Sequence, residues 1–276
     1  MNYSNVYARA RKRMLLIGLL LPLLCSCVAS YADNSSAWRG PDFIIIGVQK
    51  AGTTALWKYL WQHPSIVRSK EKEANFFNYD INFDKGIDWY KDQLNYSAGL
   101  DHLLYGESSV EYTSPVYPIT PARISALFPH TKIIVVLRNP ADRAWSHYKM
   151  LFSWGNTQAY GTQESFEYEL EHRSGLLRRG LYADLLKVWF SYFPRDQFLI
   201  INSDDLLADP DRIVNQVFSF LGVKEYHAPR YSKYHDSAGF KLTVTLNPET
   251  RSRLVDYFKP HNQELEKLLG RQFNWD

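Results

Sequence analysis

Four short apolar-rich runs punctuate the chain: DFIIIGV (42–48), LLYGES (103–108), KIIVVLR (132–138) and QFLIINS (197–203). Each is continuous rather than alternating, the pattern of strands covered on both faces. Apolar positions recur at helical spacing over 53–62, 115–127, 141–152, 181–192, 210–221 and 249–269. Strands alternating with helices predict an α/β domain of three layers, a central mainly parallel sheet flanked by helices. Right-handed crossovers then set the C-terminal ends of the strands, and any ligand, along one edge. The aromatic-rich stretch 76–96 and the polar stretch 224–247 read as long loops draped over that edge.

Composition adds one boundary. With 276 residues, 45% of them hydrophobic and 15% aromatic, the chain suits a single packed domain, here 42–276, after a short linker at 33–41. Residues 1–32 hold Arg9, Arg11, Lys12 and Arg13 and no acid, followed by the apolar MLLIGLLLPLLCSCVAS. That core is shorter than the ~20 residues of a full span. It reads either as a cleaved signal peptide, with SYA before Asp33 as cleavage site and a weak lipoprotein box at Cys27, or as a signal anchor attaching the chain to a membrane through residues 14–30. Export or anchoring means the Golgi lumen for a eukaryotic chain and the cell envelope or inner membrane for a bacterial one. Both cysteines, Cys25 and Cys27, fall in this segment, so the body carries no disulfide. Without residues 1–32 the basic and acidic residues nearly balance, which argues against a nucleic-acid partner; any basic site is local.

The first local site is IIIGVQKAGTTAL, 44–56. A buried strand runs into a turn bracketed by Gly47 and Gly52, and Thr53 and Thr54 open a helix. Backbone N–H groups of 50–54 would point at a bound anion, with Lys50 and two hydroxyls as further donors. This is P-loop-like architecture, but the triphosphatase pattern places lysine directly after the second glycine, where this chain has Thr53. None of the apolar strands ends in an aspartate suited to magnesium. The loop therefore predicts a phosphate on something other than a nucleoside triphosphate. The second site is RNPADRAWSHY, 138–148: Arg138 emerges at a strand end and Ser146 faces the same edge from the following helix, a fork and a hydroxyl for a second phosphate.

Together the two motifs resemble the sulfotransferases that use 3′-phosphoadenosine 5′-phosphosulfate (PAPS), especially the heparan sulfate glucosaminyl N- and 3-O-sulfotransferase group. KEANFF (72–77) is similar to that family's K-E-x-x-F-F segment, and KGIDWY (85–90) follows at the familiar distance. GESSVEYTSP (106–115), LYADLLKVWFSYFP (181–194) and the ending YFKPHNQELEKLLGRQFNW (257–275) extend the likeness over about 40–276. The resemblance implies that Lys50, Ala51, Gly52, Thr53 and Thr54 hold the 5′-phosphosulfate and that Arg138 and Ser146 take the 3′-phosphate. It implies that Glu73 is the general base, with Glu71 the alternative if the register slips by two, and Lys50 the cation at the breaking bond. Phe76 and Phe77 predict an aromatic setting for the Glu73 carboxylate. The donor is a co-substrate, the acceptor a carbohydrate or other small molecule, and in-line sulfuryl transfer requires no protein-bound metal.

The chain also departs from the family. Ser108 stands where the family usually has lysine. There is no C-terminal disulfide hairpin, and the segment covering the cofactor is shorter, with Lys233, His235 or Lys241 as possible substitutes. His147, beside Ser146, reads as a packing residue. Two other classes stay open: a kinase or hydrolase on the same scaffold, separated by magnesium dependence, and a non-catalytic binding protein.

Overall fold

The computed structural model describes residues 38–100, 102–155, 161–229, 231 and 245–275. The signal or anchor segment, and Lys233, His235 and Lys241, lie outside the described residues. Gly40–Asp276 gathers into one unit; of the other, Met1–Arg39, only Trp38 and Arg39 are described.

The four predicted strands form as β1 (Phe43–Gly47), β3 (Leu104–Ser108), β4 (Lys132–Leu137) and β5 (Phe198–Asn202), joined by a two-residue β2 (Ile66–Val67). All pair in parallel, in the order β2-β3-β1-β4-β5. Ile44–Ile46 and Ile133–Leu137 are completely buried, as a sheet covered on both faces requires. The helices in chain order are α1 (Thr53–Leu60), α2 (Asp80–Phe83), α3 (Gly86–Gln93), α4 (Thr120–Leu127), α5 (Pro140–Trp154), α6 (Phe166–His172), α7 (Gly175–Arg178), α8 (Tyr182–Phe190), α9 (Ser203–Ala208), α10 (Pro210–Leu221) and α11 (Pro248–Leu269). A 3-10 turn covers Val110–Thr113.

Local chemistry sets the helix ends. Asn139, Asp209 and Asn247 cap α5, α10 and α11 with their side chains, each followed by proline in the first helical turn. The α10 stripe Ile213, Val214, Val217, Phe218 and Leu221 is buried. A second core joins α5, α6, α7 and α11 through Ala144, Tyr148, Leu151, Phe166, Leu176 and Phe258. Among the described residues, no helix is long and apolar enough to cross a membrane.

One expectation is corrected. Residues 76–96 are not a draped loop: they form α2 and α3 and bury Phe76, Phe77, Tyr90 and Leu94. Phe76 stacks on Tyr90 with centroids 4.6 Å apart. These aromatic rings supply the burial that fixes the segment, but their spacing follows neither a strand nor a helix period.

Because every strand is parallel, the segments after β1, β3, β4 and β5 emerge at one edge. β1 lies between β3 and β4, where successive connections depart to opposite sides, the usual position of a ligand crevice in such sheets.

Candidate active site

The turn after β1 is held by Val48 N–H donating to the Val136 carbonyl at 2.9 Å and Ala51 N–H to the Val48 carbonyl at 3.2 Å. Lys50 and Gly52 take left-handed backbone, with φ of 71° and 97°. Gly52 is the N-cap of α1 and has no side chain to offer the first turn. The leading N–H groups of a helix have no intrahelical acceptor, so this end of α1 is suited to an exogenous anion.

Arg138 leaves β4 next to that turn and donates from Nη1 to the Lys50 carbonyl at 3.0 Å. Its own carbonyl accepts from the buried Tyr182 hydroxyl at 2.8 Å. Behind this pair, on α5, Arg143 is completely buried and donates to the Leu176 carbonyl. Its Nη1 lies 3.5 Å from His147 Nδ1, and its Nε has no partner among the described residues. Burial, with Arg179 and Arg138 nearby, pulls Arg143 down to about 10. Burial and then Arg143, Arg179, Lys50 and Arg173 push His147 down to about 2. His147 is thus neutral at ordinary pH and packed into the helix interface.

Glu73 is held against the end of β3. Its N–H donates to the Ser108 carbonyl at 2.9 Å, its Oε2 accepts from the Val110 N–H at 2.8 Å, and its Oε1 pairs with the Lys72 ammonium. The expected aromatic setting does not form: Phe76 and Phe77 turn into the core against Tyr90 and Tyr112, leaving the carboxylate with polar partners. Glu71 is exposed and its side chain lies off the cleft.

Glu107 anchors this segment from below. It is completely buried and accepts from the hydroxyls of Tyr90 (2.7 Å), Tyr112 (2.8 Å) and Ser109 (2.6 Å). Two of those hydroxyls in turn accept backbone N–H groups, Asn75 on Ser109 at 3.0 Å and Phe76 on Tyr112 at 3.0 Å. The hydrogen bonds favour the anion, but burial outweighs them and the charge of Glu73 adds to it, so the Glu107 carboxyl is raised above its ordinary value. Ser108 is also completely buried, its Oγ without a partner among the described residues.

Lys50, Ala51, Gly52, Thr53, Thr54, Glu73, Arg138 and Ser146 all line one cleft of about 740 Å³. The structure brings the eight candidate residues together although they come from three separate segments. It adds Lys72, Asn75 and Glu111 on the Glu73 side, Lys149, Met150 and Trp154 along α5, and Asp204 and Leu206 of α9 with Tyr59 and Tyr231. Among the described residues, no group of three or more His, Cys, Asp or Glu side chains is placed to hold a metal ion.

A parallel α/β sheet with an uncapped helix end, a lysine in the turn and a strand-end arginine beside it defines a P-loop-like α/β protein. A family model described as sulfotransferase domain matches residues 40–254. The chain belongs to the sulfotransferase family and is a sulfotransferase. Mouse (Mus musculus) heparan sulfate glucosamine 3-O-sulfotransferase 3B1 is 31% identical over 91% of this chain and 69% of its own length. Human (Homo sapiens) bifunctional heparan sulfate N-deacetylase/N-sulfotransferase 2 is 33% identical over 87% of this chain, which spans only 31% of that larger protein. Among solved structures, a sulfotransferase from Alicyclobacillus acidocaldarius superposes with a TM-score of 0.70 at 29% identity, over 86% of this chain and 98% of that one. A mouse sulfotransferase complexed with PAP shares the fold, with a TM-score of 0.50 at 15% identity over 88% and 92% of the two chains.

Proposed function

We propose that this protein transfers a sulfuryl group from PAPS to a hydroxyl or amine of a carbohydrate, a heparan-sulfate-like glycan, with Glu73 as general base. The observation that carries the reading is that the Lys50 turn, Glu73 and Arg138 line a single cleft. The residues fit the donor: the open end of α1 with Lys50, Thr53 and Thr54 suits the phosphosulfate, and Arg138 with Ser146 suits the 3′-phosphate. The glycan acceptor is supported by the relatives named for heparan sulfate.

In the reaction the acceptor oxygen or nitrogen attacks sulfur in line with the bond to the 5′-phosphate. That S–O bond breaks, its electron pair goes to the bridging oxygen of the departing nucleotide, and the acceptor proton passes to Glu73. Lys50 faces the oxygen on which charge accumulates, where a cation is worth more in the transition state than in the ground state.

The test uses the purified protein with sulfur-labelled PAPS and a panel of glycans, including N-desulfated and O-desulfated heparins. Label should pass to at least one glycan. Glu73→Gln should keep nucleotide affinity, measured calorimetrically with PAP, and lose about 10²-fold or more in transfer; Lys50→Ala should lose both. Tight PAP binding with no transfer to any acceptor would leave a binding protein, and a Glu73→Gln variant at wild-type rate would remove the base assignment.

A further inference from the structure

Lys72 and Glu73 are neighbours in sequence, yet their side chains meet on the same side of the cleft. In extended backbone, adjacent side chains point to opposite faces. The left-handed conformation of Glu73, φ 66°, turns them together. The pair is drawn out of bulk solvent, with side-chain exposures of 15% for Lys72 and 31% for Glu73. The other Glu73 oxygen is fixed by the Val110 N–H, so the two partners approach the carboxylate from different sides. The surrounding charges are Lys50 of the turn, the buried Glu107 beneath, Glu111 with its partner Arg179, and Lys149 of α5.

From this geometry we infer that Lys72 is a second catalytic residue, whose ammonium meets the oxygens of the sulfuryl group during transfer. The inference rests on the function proposed above. Before transfer, Lys72 and Glu73 are a neutral pair. When Glu73 takes the acceptor proton it becomes a neutral acid, its hold on the ammonium weakens, and the pair carries one net positive charge. That charge appears in the step in which negative charge shifts through the sulfuryl group toward the leaving phosphate. An interaction that strengthens as the reaction proceeds lowers the barrier. Lys50 serves the bridging oxygen from one side of the cleft and Lys72 the group in flight from the other. Ser108, completely buried and not among the residues lining the cleft, supplies no such charge.

The test compares Lys72→Met, Lys72→Arg and wild type on whichever glycan of the panel accepts label. Lys72→Met should lower kcat by about 10²-fold, the cost of removing one such donor to a transition-state oxyanion. PAP affinity and thermal midpoint should stay at wild-type values, and Lys72→Arg should recover a large part of the rate. In single-turnover reactions, adding Lys72→Met to Glu73→Gln should slow the residual transfer further. No further slowing would mean that Lys72 acts only by holding Glu73, and the catalytic assignment would fall. Wild-type kcat in Lys72→Met would overturn this inference alone, whereas a panel with no acceptor at all would remove the proposed function and this inference together.

Discussion

Replacing Glu107 tests whether the buried acid works as a charge or as a hydrogen-bond hub. Glu107→Ala strands three hydroxyl donors, those of Tyr90, Tyr112 and Ser109, in a site closed to water. At ~1–1.5 kcal/mol for each orphaned group, the loss is about 4 kcal/mol. For a domain of this size that lowers the thermal midpoint by roughly 8–16 °C. Glu107→Gln is expected to behave differently. Its carbonyl oxygen keeps both tyrosine hydroxyls, and the Ser109 hydroxyl can rotate to accept from the amide nitrogen. The variant also removes the cost of a buried anion, so its stability at neutral pH should lie within about 1 kcal/mol of wild type. The pH dependence has a definite sign. Glu107 is raised above its ordinary 4.5, chiefly by burial, so the fold favours the protonated form. That contribution is full below 4.5 and is lost as pH rises through the raised value. Wild type should therefore lose stability relative to Glu107→Gln as pH climbs from 4 to 8, measured by calorimetry in matched buffers. Because Ser109 and Tyr112 hold the backbone of Asn75 and Phe76, Glu107→Ala should also slow transfer, while Glu107→Gln should not. If Glu107→Gln proves as damaging as Glu107→Ala, the anion itself is stabilised by its donors beyond the cost of burial, and the reasoning fails.

Two further outcomes follow from the loop and its cationic wall. A Cβ at Gly47 would stand 2.5 Å from Thr113 Oγ1 with the backbone at φ 148°, so Gly47→Ala should cost about 3 kcal/mol and be seen as a midpoint loss of roughly 6–12 °C. Arg143→Met removes the second-largest influence on His147, and NMR titration should find the imidazole above its present value of about 2. It should still lie below the ordinary 6.5, because burial is the larger cause; a return to 6.5 would show that the charge, and not burial, had held it down.

The parts of this molecule that could be read in advance are those whose signal is local. Short apolar runs mark β1, β3, β4 and β5, whereas Ile66–Val67 is too short to carry a period. The stretch 76–96 misled because its order comes from rings meeting across the fold, Phe76 on Tyr90 and Phe77 against Tyr112, which no spacing rule encodes. Arg143 carries a readable signal: it precedes His147 by four and Leu151 by eight, on the inner face of α5. Glu107 as a hub and Lys72 as a partner had none, since a KEKE run reads equally as solvated charge, and only the backbone of Glu73 brings the pair together.

Strand order explains how eight residues from three distant segments converge. Each belongs to a segment that follows a strand or docks on one: 50–54 after β1, 138–146 after β4, and 73 on β3 through the Ser108 carbonyl. Parallel pairing sets the C-terminal ends of β1, β3 and β4 side by side, so motifs far apart in sequence must meet once the strand order is β3-β1-β4. What topology does not supply is the distribution of charge. On the β4 side, Arg138, Arg143 and Arg179 stand close together, and of these only Arg179 has a carboxylate partner among the described residues. On the β3 side, Glu73 is matched by Lys72, and Glu107 is sealed beneath by hydroxyls. The cleft thus has Arg138 at one wall, with Arg143 buried behind it, and the matched Lys72–Glu73 pair at the other. Under the function proposed above, the cationic wall would meet the polyanionic donor and the charge developing on its leaving group, and the pair would meet an acceptor that gives up a proton.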